Sequence, residues 1–156
     1  MKISVIGAGY VGLSLAVLLS QKHEVVILEI DVDKVSLINK KKSPVKDIEL
    51  EKYLETKNLN LFATSNTEEA YNGSDYTIIA TPTNYDVVTG SFDTSSVEKV
   101  IKECVKLNPK SIIVIKSTVP LGFTDQMKNL YSEAKILFSP EFLRESKALW
   151  DNLYPS

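Results

Sequence analysis

The chain has 156 residues, 44% of them hydrophobic, with a formal net charge of -2 and a single cysteine. A chain of that length buries roughly 70% of its extended surface as one ordinary domain and needs no disulfide staple. The composition excludes a disulfide framework, a nucleic-acid footprint built on a basic run, and a bilayer span of about 18–20 apolar residues; a reducing, cytoplasmic setting is the expectation.

In chain order, residues 2–6 form a largely apolar run that predicts a strand, and Gly7-Ala8-Gly9-Tyr10-Val11-Gly12 follows directly. A helix is predicted over 10–21. The apolar start is not read as a signal peptide, because glycines interrupt it and Gln21-Lys22-His23-Glu24 is no small-residue cleavage site. The spacing of Gly7, Gly9 and Gly12 between strand and helix is that of a dinucleotide-binding turn. Gly7 allows the sharp turn, Gly9 allows a pyrophosphate to approach the backbone, and Gly12 allows helix and strand to pack closely. Tyr10 and Val11 open the helix whose N-terminus would face the phosphates. A second strand, 24–29, ends in Glu29, where such a unit places an acid for the adenosine ribose. The plain alternative is a buried glycine turn followed by a solvated glutamate.

Helices are predicted at 32–41 and 47–56, with Lys40-Lys41-Lys42 closing the first, and a strand at 60–64. Asn66 with Glu69 predicts a capped helix over 66–72, ended by Gly73. A strand at 75–80 runs into Ala80-Thr81-Pro82-Thr83-Asn84. A helix at 95–107 is expected to start on a Ser95–Glu98 capping pair and to stop at Asn108-Pro109. Cys104 falls on its apolar stripe with Val97, Val100 and Ile101, the pattern of an inert buried thiol. A strand at 111–116 leads into Lys116-Ser117-Thr118-Val119-Pro120, followed by a helix at 123–132 and a strand at 135–138. Ser139-Pro140 then reads as the cap and first residue of a helix over 141–150, which would put Glu141 and Glu145 on one face. Those carboxylates suit general acid–base work or simply a helix N-terminus, and spacing does not choose between the two. His23 reads as a surface residue, Trp150 as packing with Leu149 and Leu153, and no residues have metal-ligand spacing.

Nearly continuous apolar strands alternating with helices predict an α/β fold: a Rossmann-like, doubly wound, mainly parallel six-stranded sheet with helices on both faces. Ligands of such a sheet lie beyond the carboxyl ends of its strands.

The motifs Gly7 to Ser14, Ala80 to Tyr85, Lys116-Ser117-Thr118, Phe138 to Glu145 and Asp151 to Ser156 resemble, in order and over essentially the whole chain, the N-terminal NAD-binding domain of the nucleotide-sugar dehydrogenases, most closely the bacterial UDP-glucose 6-dehydrogenases. The resemblance implies two hydride transfers to two NAD⁺, taking a sugar C6 alcohol to a carboxylate through a cysteine-bound thiohemiacetal and thioester. It implies NAD held by Gly7, Gly9, Tyr10, Val11, Gly12, Glu29, Lys34, Thr81, Pro82, Thr83, Ser117, Thr118 and Glu145. It implies a UDP-sugar met by Glu141, Phe142, Leu143, Arg144 and Glu145, with Arg144 either on a phosphate or paired with a neighbouring acid. Thr118 and Glu141 would position water and assist proton transfer, with Glu145 touching both ligands. The family's cysteine, sugar-binding domain and central dimer helix would lie beyond residue 156. The chain is thus expected to be a single, excised domain, 1–156, of a cytoplasmic homodimer, able to bind cofactor but not to turn over. The alternatives are a dehydrogenase for UDP-N-acetylmannosamine or another nucleotide sugar, and a non-catalytic NAD-sensing module. The Thr81–Asn84 and Glu141–Glu145 loops speak against a sensor.

Overall fold

The structure is a computed structural model and describes residues 1–87 and 90–155; Ser156, the last residue of the closing motif, lies outside the described residues. The chain runs β1 (Lys2–Ile6), α1 (Tyr10–Ser20), β2 (Glu24–Leu28), α2 (Val32–Asn39), α3 (Ile48–Thr56), β3 (Leu61–Thr64), α4 (Thr67–Tyr71) and β4 (Tyr76–Ile79). It continues through β5 (Tyr85–Asp86), β6 (Ser91–Phe92), α5 (Ser95–Leu107), β7 (Ile112–Ile115), α6 (Phe123–Leu130), β8 (Lys135–Phe138), a 3-10 turn at Glu145–Lys147 and α7 (Ala148–Leu153).

Among the described residues, six strands pair in the order β3-β2-β1-β4-β7-β8, every pair parallel. The winding reverses between β1 and β4, and a ligand crevice opens at such a switch point. The strands read as apolar runs because both faces are covered. Val25 and Ile27 point to a core shared with Leu13, Ala16 and Val17 of α1 and Leu50 and Leu54 of α3. Val26 and Leu28 point to the opposite core, with Val97, Ile101 and Cys104 of α5 and Phe123 and Met127 of α6. The six expected strands and the helices expected up to residue 132 are present. No described helix is long and apolar enough to cross a membrane.

Side-chain caps start α2, α3 and α4. Asn66 Oδ1 accepts from the N–H groups of Glu68 and Glu69, and Asp31 and Asp47 cap α2 and α3 in the same way. Beyond α2, Lys42 N–H donates to Leu37 O and Lys41 N–H to Ile38 O, with Lys41 left-handed at φ 60°. This is a Schellman ending with lysine where glycine usually stands.

Three expectations change. The helix expected over 95–107 is α5 itself, but its capping pair moves: Thr94, not Ser95, is the N-cap, and Thr94 Oγ1 donates to Glu98 at 2.7 Å while Asp93 Oδ1 accepts the Ser95 N–H at 3.0 Å. The small β5–β6 hairpin, with Tyr85 and Phe92 rings edge to face at 5.1 Å, was not predicted; two-residue strands carry no periodicity. The helix over 141–150 is absent in that form. Ser139 and Pro140 neither cap nor start a helix, Glu141 and Glu145 do not share a helix face, and α7 begins only at Ala148. Tertiary ion pairing of residues 139–144, described below, overrides a local preference worth only tenths of a kcal/mol, roughly, per residue.

Candidate functional site

The glycine turn divides its labour. A Cβ on Gly12 would lie 2.0 Å from Gly7 O, and one on Gly7, at φ +100°, 2.7 Å from Ala80 O. These two glycines let β1, α1 and the end of β4 close on one another. A Cβ on Gly9 would meet nothing within 4 Å, so Gly9 faces open space. Gly9 is also the N-cap of α1, with no side-chain cap bond and no acid in the first turn. Tyr10 and Val11, half-buried, form that turn. A helix N-terminus with no side-chain cap bond, beside open space, suits a phosphate.

Along the rim of the sheet, adjacent loops are tied together in strand order. From the end of β2, Glu29, 8% exposed, accepts the Ala8 N–H on Oε2 at 2.9 Å and the Asp31 N–H on Oε1 at 3.1 Å. Lys34 is half-buried in the first turn of α2. After β4, Thr81 Oγ1 lies 3.0 Å from Ser96 Oγ, and Ser96 also donates to Pro82 O at 3.0 Å. After β7, buried Ser117 donates to Thr81 O at 2.7 Å. Thr81 and Ser117 thereby brace the loop that presents exposed Pro82 and half-buried Thr83, while Thr118 is exposed on the same rim.

After β8, Lys116 Nζ donates to Glu141 Oε2 at 2.8 Å, with Ser139 Oγ at 3.3 Å and Pro140 O at 3.4 Å. Arg144 forms a bidentate pair with Asp151, Nε to Oδ2 at 3.1 Å and Nη2 to Oδ1 at 2.5 Å, so its guanidinium is engaged by the neighbouring acid. The guanidinium hydrogen bond, then the Arg144 N–H, hold the Asp151 carboxyl down to about 2. Phe142 is exposed, Leu143 half-buried, and Glu145 exposed in the 3-10 turn. From there α7 docks on α1 and α3: the Leu149 N–H donates to Asp47 Oδ2 at 3.2 Å, and Asn152 Nδ2 to Ser14 Oγ at 2.9 Å. Residues 139–147 thus carry the chain from the β8 edge back to α1. Leu149 is buried in that contact, whereas Trp150 stays 46% exposed against the Tyr154 ring.

The structure therefore brings every expected site residue to the strand-end rim or to the segment leaving it. His23 sits at the opposite end of β2. Cys104 is buried, its Sγ–H directed at Thr77 Oγ1 at 3.3 Å, and burial pushes its thiol up, the reverse of an activated nucleophile. Sequence reasoning gave Lys116 no role. The signal was a lysine directly after the apolar strand Ile112–Ile115.

Residues 1–156 match the NAD binding domain of the UDP-glucose/GDP-mannose dehydrogenase family. The chain belongs to this family. Its cofactor is accordingly NAD, and the open face of Gly9 before an uncapped helix fits the dinucleotide's pyrophosphate. The chain is 57% identical over 156 residues to a UDP-glucose 6-dehydrogenase of Streptococcus pneumoniae, covering 100% of this chain and 40% of that protein. It is 49% identical over 158 residues to one of Campylobacter jejuni, again covering 100% of this chain and 40% of the relative. Among solved structures, a UDP-glucose dehydrogenase of Pyrobaculum islandicum superposes with a TM-score of 0.85 at 30% identity, over 99% of this chain and 39% of that one. The chain spans about 40% of the length of the curated relatives it matches.

Proposed function

We propose that this chain is the cofactor-binding domain, 1–156, of an enzyme that oxidises the C6 alcohol of UDP-glucose to UDP-glucuronate, using two NAD⁺ and one water. The observation that carries the reading is the 57% identity, over the chain's full length, to a UDP-glucose 6-dehydrogenase. The reading assigns the cysteine nucleophile and the nucleotide-sugar pocket to parts of the parent outside these residues, in keeping with the 40% coverage of that relative. The resemblance of the motifs supports a cytoplasmic, homodimeric parent.

Bound on the rim, NAD supplies the hydride acceptor. The N-terminus of α1, with Gly7, Gly9, Tyr10, Val11 and Gly12, binds the pyrophosphate. Glu29 and Lys34 bind the adenosine ribose, and the loop of Thr81, Pro82 and Thr83, braced by Ser117, lines the dinucleotide. Residues Glu141, Phe142, Leu143 and Arg144 meet the nucleotide sugar, largely through their backbone. The Thr118 hydroxyl orients the water that releases the acid, Glu141 assists its proton transfer, and Glu145 touches both ligands.

The test is turnover by the full-length parent with UDP-glucose and NAD⁺, followed by NADH absorbance. Two NADH per UDP-glucose are expected, and none from the isolated chain. Preferential oxidation of UDP-N-acetylmannosamine by the parent would overturn the substrate assignment.

A further inference from the structure

Lys116 leaves the carboxyl end of β7 with its side chain 11% exposed, beside a Glu141 side chain 16% exposed. Its nearest acceptors are three oxygens from three consecutive residues: Ser139 Oγ, Pro140 O and Glu141 Oε2. An ammonium has three donors, so this set can occupy all of them. Ser139 N–H continues the sheet by donating to Ile115 O, and Glu141 Oε1 accepts the N–H of Phe142 at 3.0 Å. Beyond Glu141 the next anchor is the Arg144–Asp151 pair. The segment that crosses from β8 toward α1 is thus held by ion pairs at both ends, with Lys116 holding the end nearer the cofactor rim.

We propose that Lys116 is a positioning residue: its ammonium fixes the course of residues 139–141 and aims the Glu141 carboxylate for nucleotide-sugar oxidation. The inference rests on the proposed function for Glu141's role, but the placement of the segment stands on the contacts alone. Two features make lysine suited to the task. A charge carried by so buried a side chain is unfavourable unless paired and hydrogen-bonded, so it selects a backbone course that supplies the three oxygens. Its four-carbon stem also lets a residue rooted in the rigid sheet reach the next loop, giving that loop the precision of the strand.

The test has two parts. In ¹H–¹⁵N spectra of this chain, Lys116→Met is expected to displace the amides of residues 139–145 while those of β1, β4 and α5 stay in place. Glu141→Gln, which removes the other half of the pair, is expected to displace the same amides and serves if Lys116→Met does not fold. Unmoved amides at 139–145 in the folded variant overturn the proposal. In the full-length parent, Lys116→Met is expected to lower kcat at least tenfold with the NAD dissociation constant changed less than twofold. In a Glu141→Gln background the same substitution is expected to add little further loss, because Lys116 acts through Glu141. Independent, multiplying losses in the double variant overturn it. Should the wild-type parent not oxidise UDP-glucose, the proposed function fails, while the spectra still decide whether Lys116 sets the segment.

Discussion

The Glu29 carboxylate reaches from the end of β2 to accept the Ala8 N–H of the glycine turn at 2.9 Å. The acid assigned to the ribose is therefore also a brace for the turn assigned to the pyrophosphate. Because Oε1 is held by the Asp31 N–H, the carboxylate points in a fixed direction before any ligand arrives. Pre-set geometry of this kind lowers the ordering penalty of binding.

That fixed charge predicts cofactor choice. A carboxylate about 4 Å from a 2′-phosphate is unfavourable by roughly 1–4 kcal/mol per unit charge, or about tenfold to several hundredfold in affinity. Titration calorimetry on the isolated chain is expected to show NAD⁺ bound at least tenfold more tightly than NADP⁺. Equal affinities would sink the assignment of Glu29.

The glycines separate stability from binding. Gly12→Ala places a Cβ 2.0 Å from Gly7 O and is expected to cost the fold about 3 kcal/mol or more. Gly9→Ala meets open space at an ordinary φ of -78°, so the fold should lose no more than about 1 kcal/mol. Gly9→Ala should nonetheless weaken NAD⁺ about tenfold, since the new methyl occupies the approach to the turn. Denaturant melts paired with cofactor titrations check both, and a Gly9→Ala protein binding NAD⁺ normally would place the pyrophosphate elsewhere.

Thr118, on the rim, and Glu145, in the segment leaving it, are both exposed. In the full-length parent, Thr118→Ala and Glu145→Gln are expected to lower kcat by roughly 10²-fold or more. The melting midpoint should barely move, because such surface changes stay within about 0.5 kcal/mol. A lowered midpoint with activity per folded molecule intact would remove both residues from the site.

Asp151 titrates low because Arg144 binds its charged form, so its folded value, about 2, lies below the ordinary 3.8. The pair's contribution is therefore full above about pH 4 and is lost as pH falls through about 2. Carboxylate NMR of Asp151 is expected to give a midpoint near the folded value, moving up toward the ordinary one in Arg144→Gln. The same midpoint in both proteins would show that Arg144 is not the cause.

Lys41 closes α2 at φ 60°, a conformation that disfavours a Cβ. Lys41→Gly relieves that strain while adding some unfolded-chain entropy. The net expectation is a stabilisation of about 0.5–1 kcal/mol, read as a raised denaturation midpoint. A lowered midpoint would mean that the lysine side chain contributes more than its backbone strain removes.

By itself the sequence determined the sheet and the cofactor turn. Continuous apolar strands such as Val25 to Leu28 can be satisfied only when both faces are covered, and Gly7, Gly9 and Gly12 declare themselves through backbone demands that only glycine meets. Asn66 and Gly73 marked the ends of α4 because caps act between residues close in the chain. Residues 139–150 were decided only by tertiary structure. Their acids and proline fit a helix start locally, yet Lys116, just past the neighbouring strand β7, draws Glu141 and the Pro140 carbonyl to itself, while Asp47 and Ser14, more than a hundred residues upstream, place α7. The second job of Glu29, bracing the turn at Ala8, was hidden for the same reason. Contacts between residues far apart in the chain leave no periodicity to read, and they outweigh local preferences where charge must be buried.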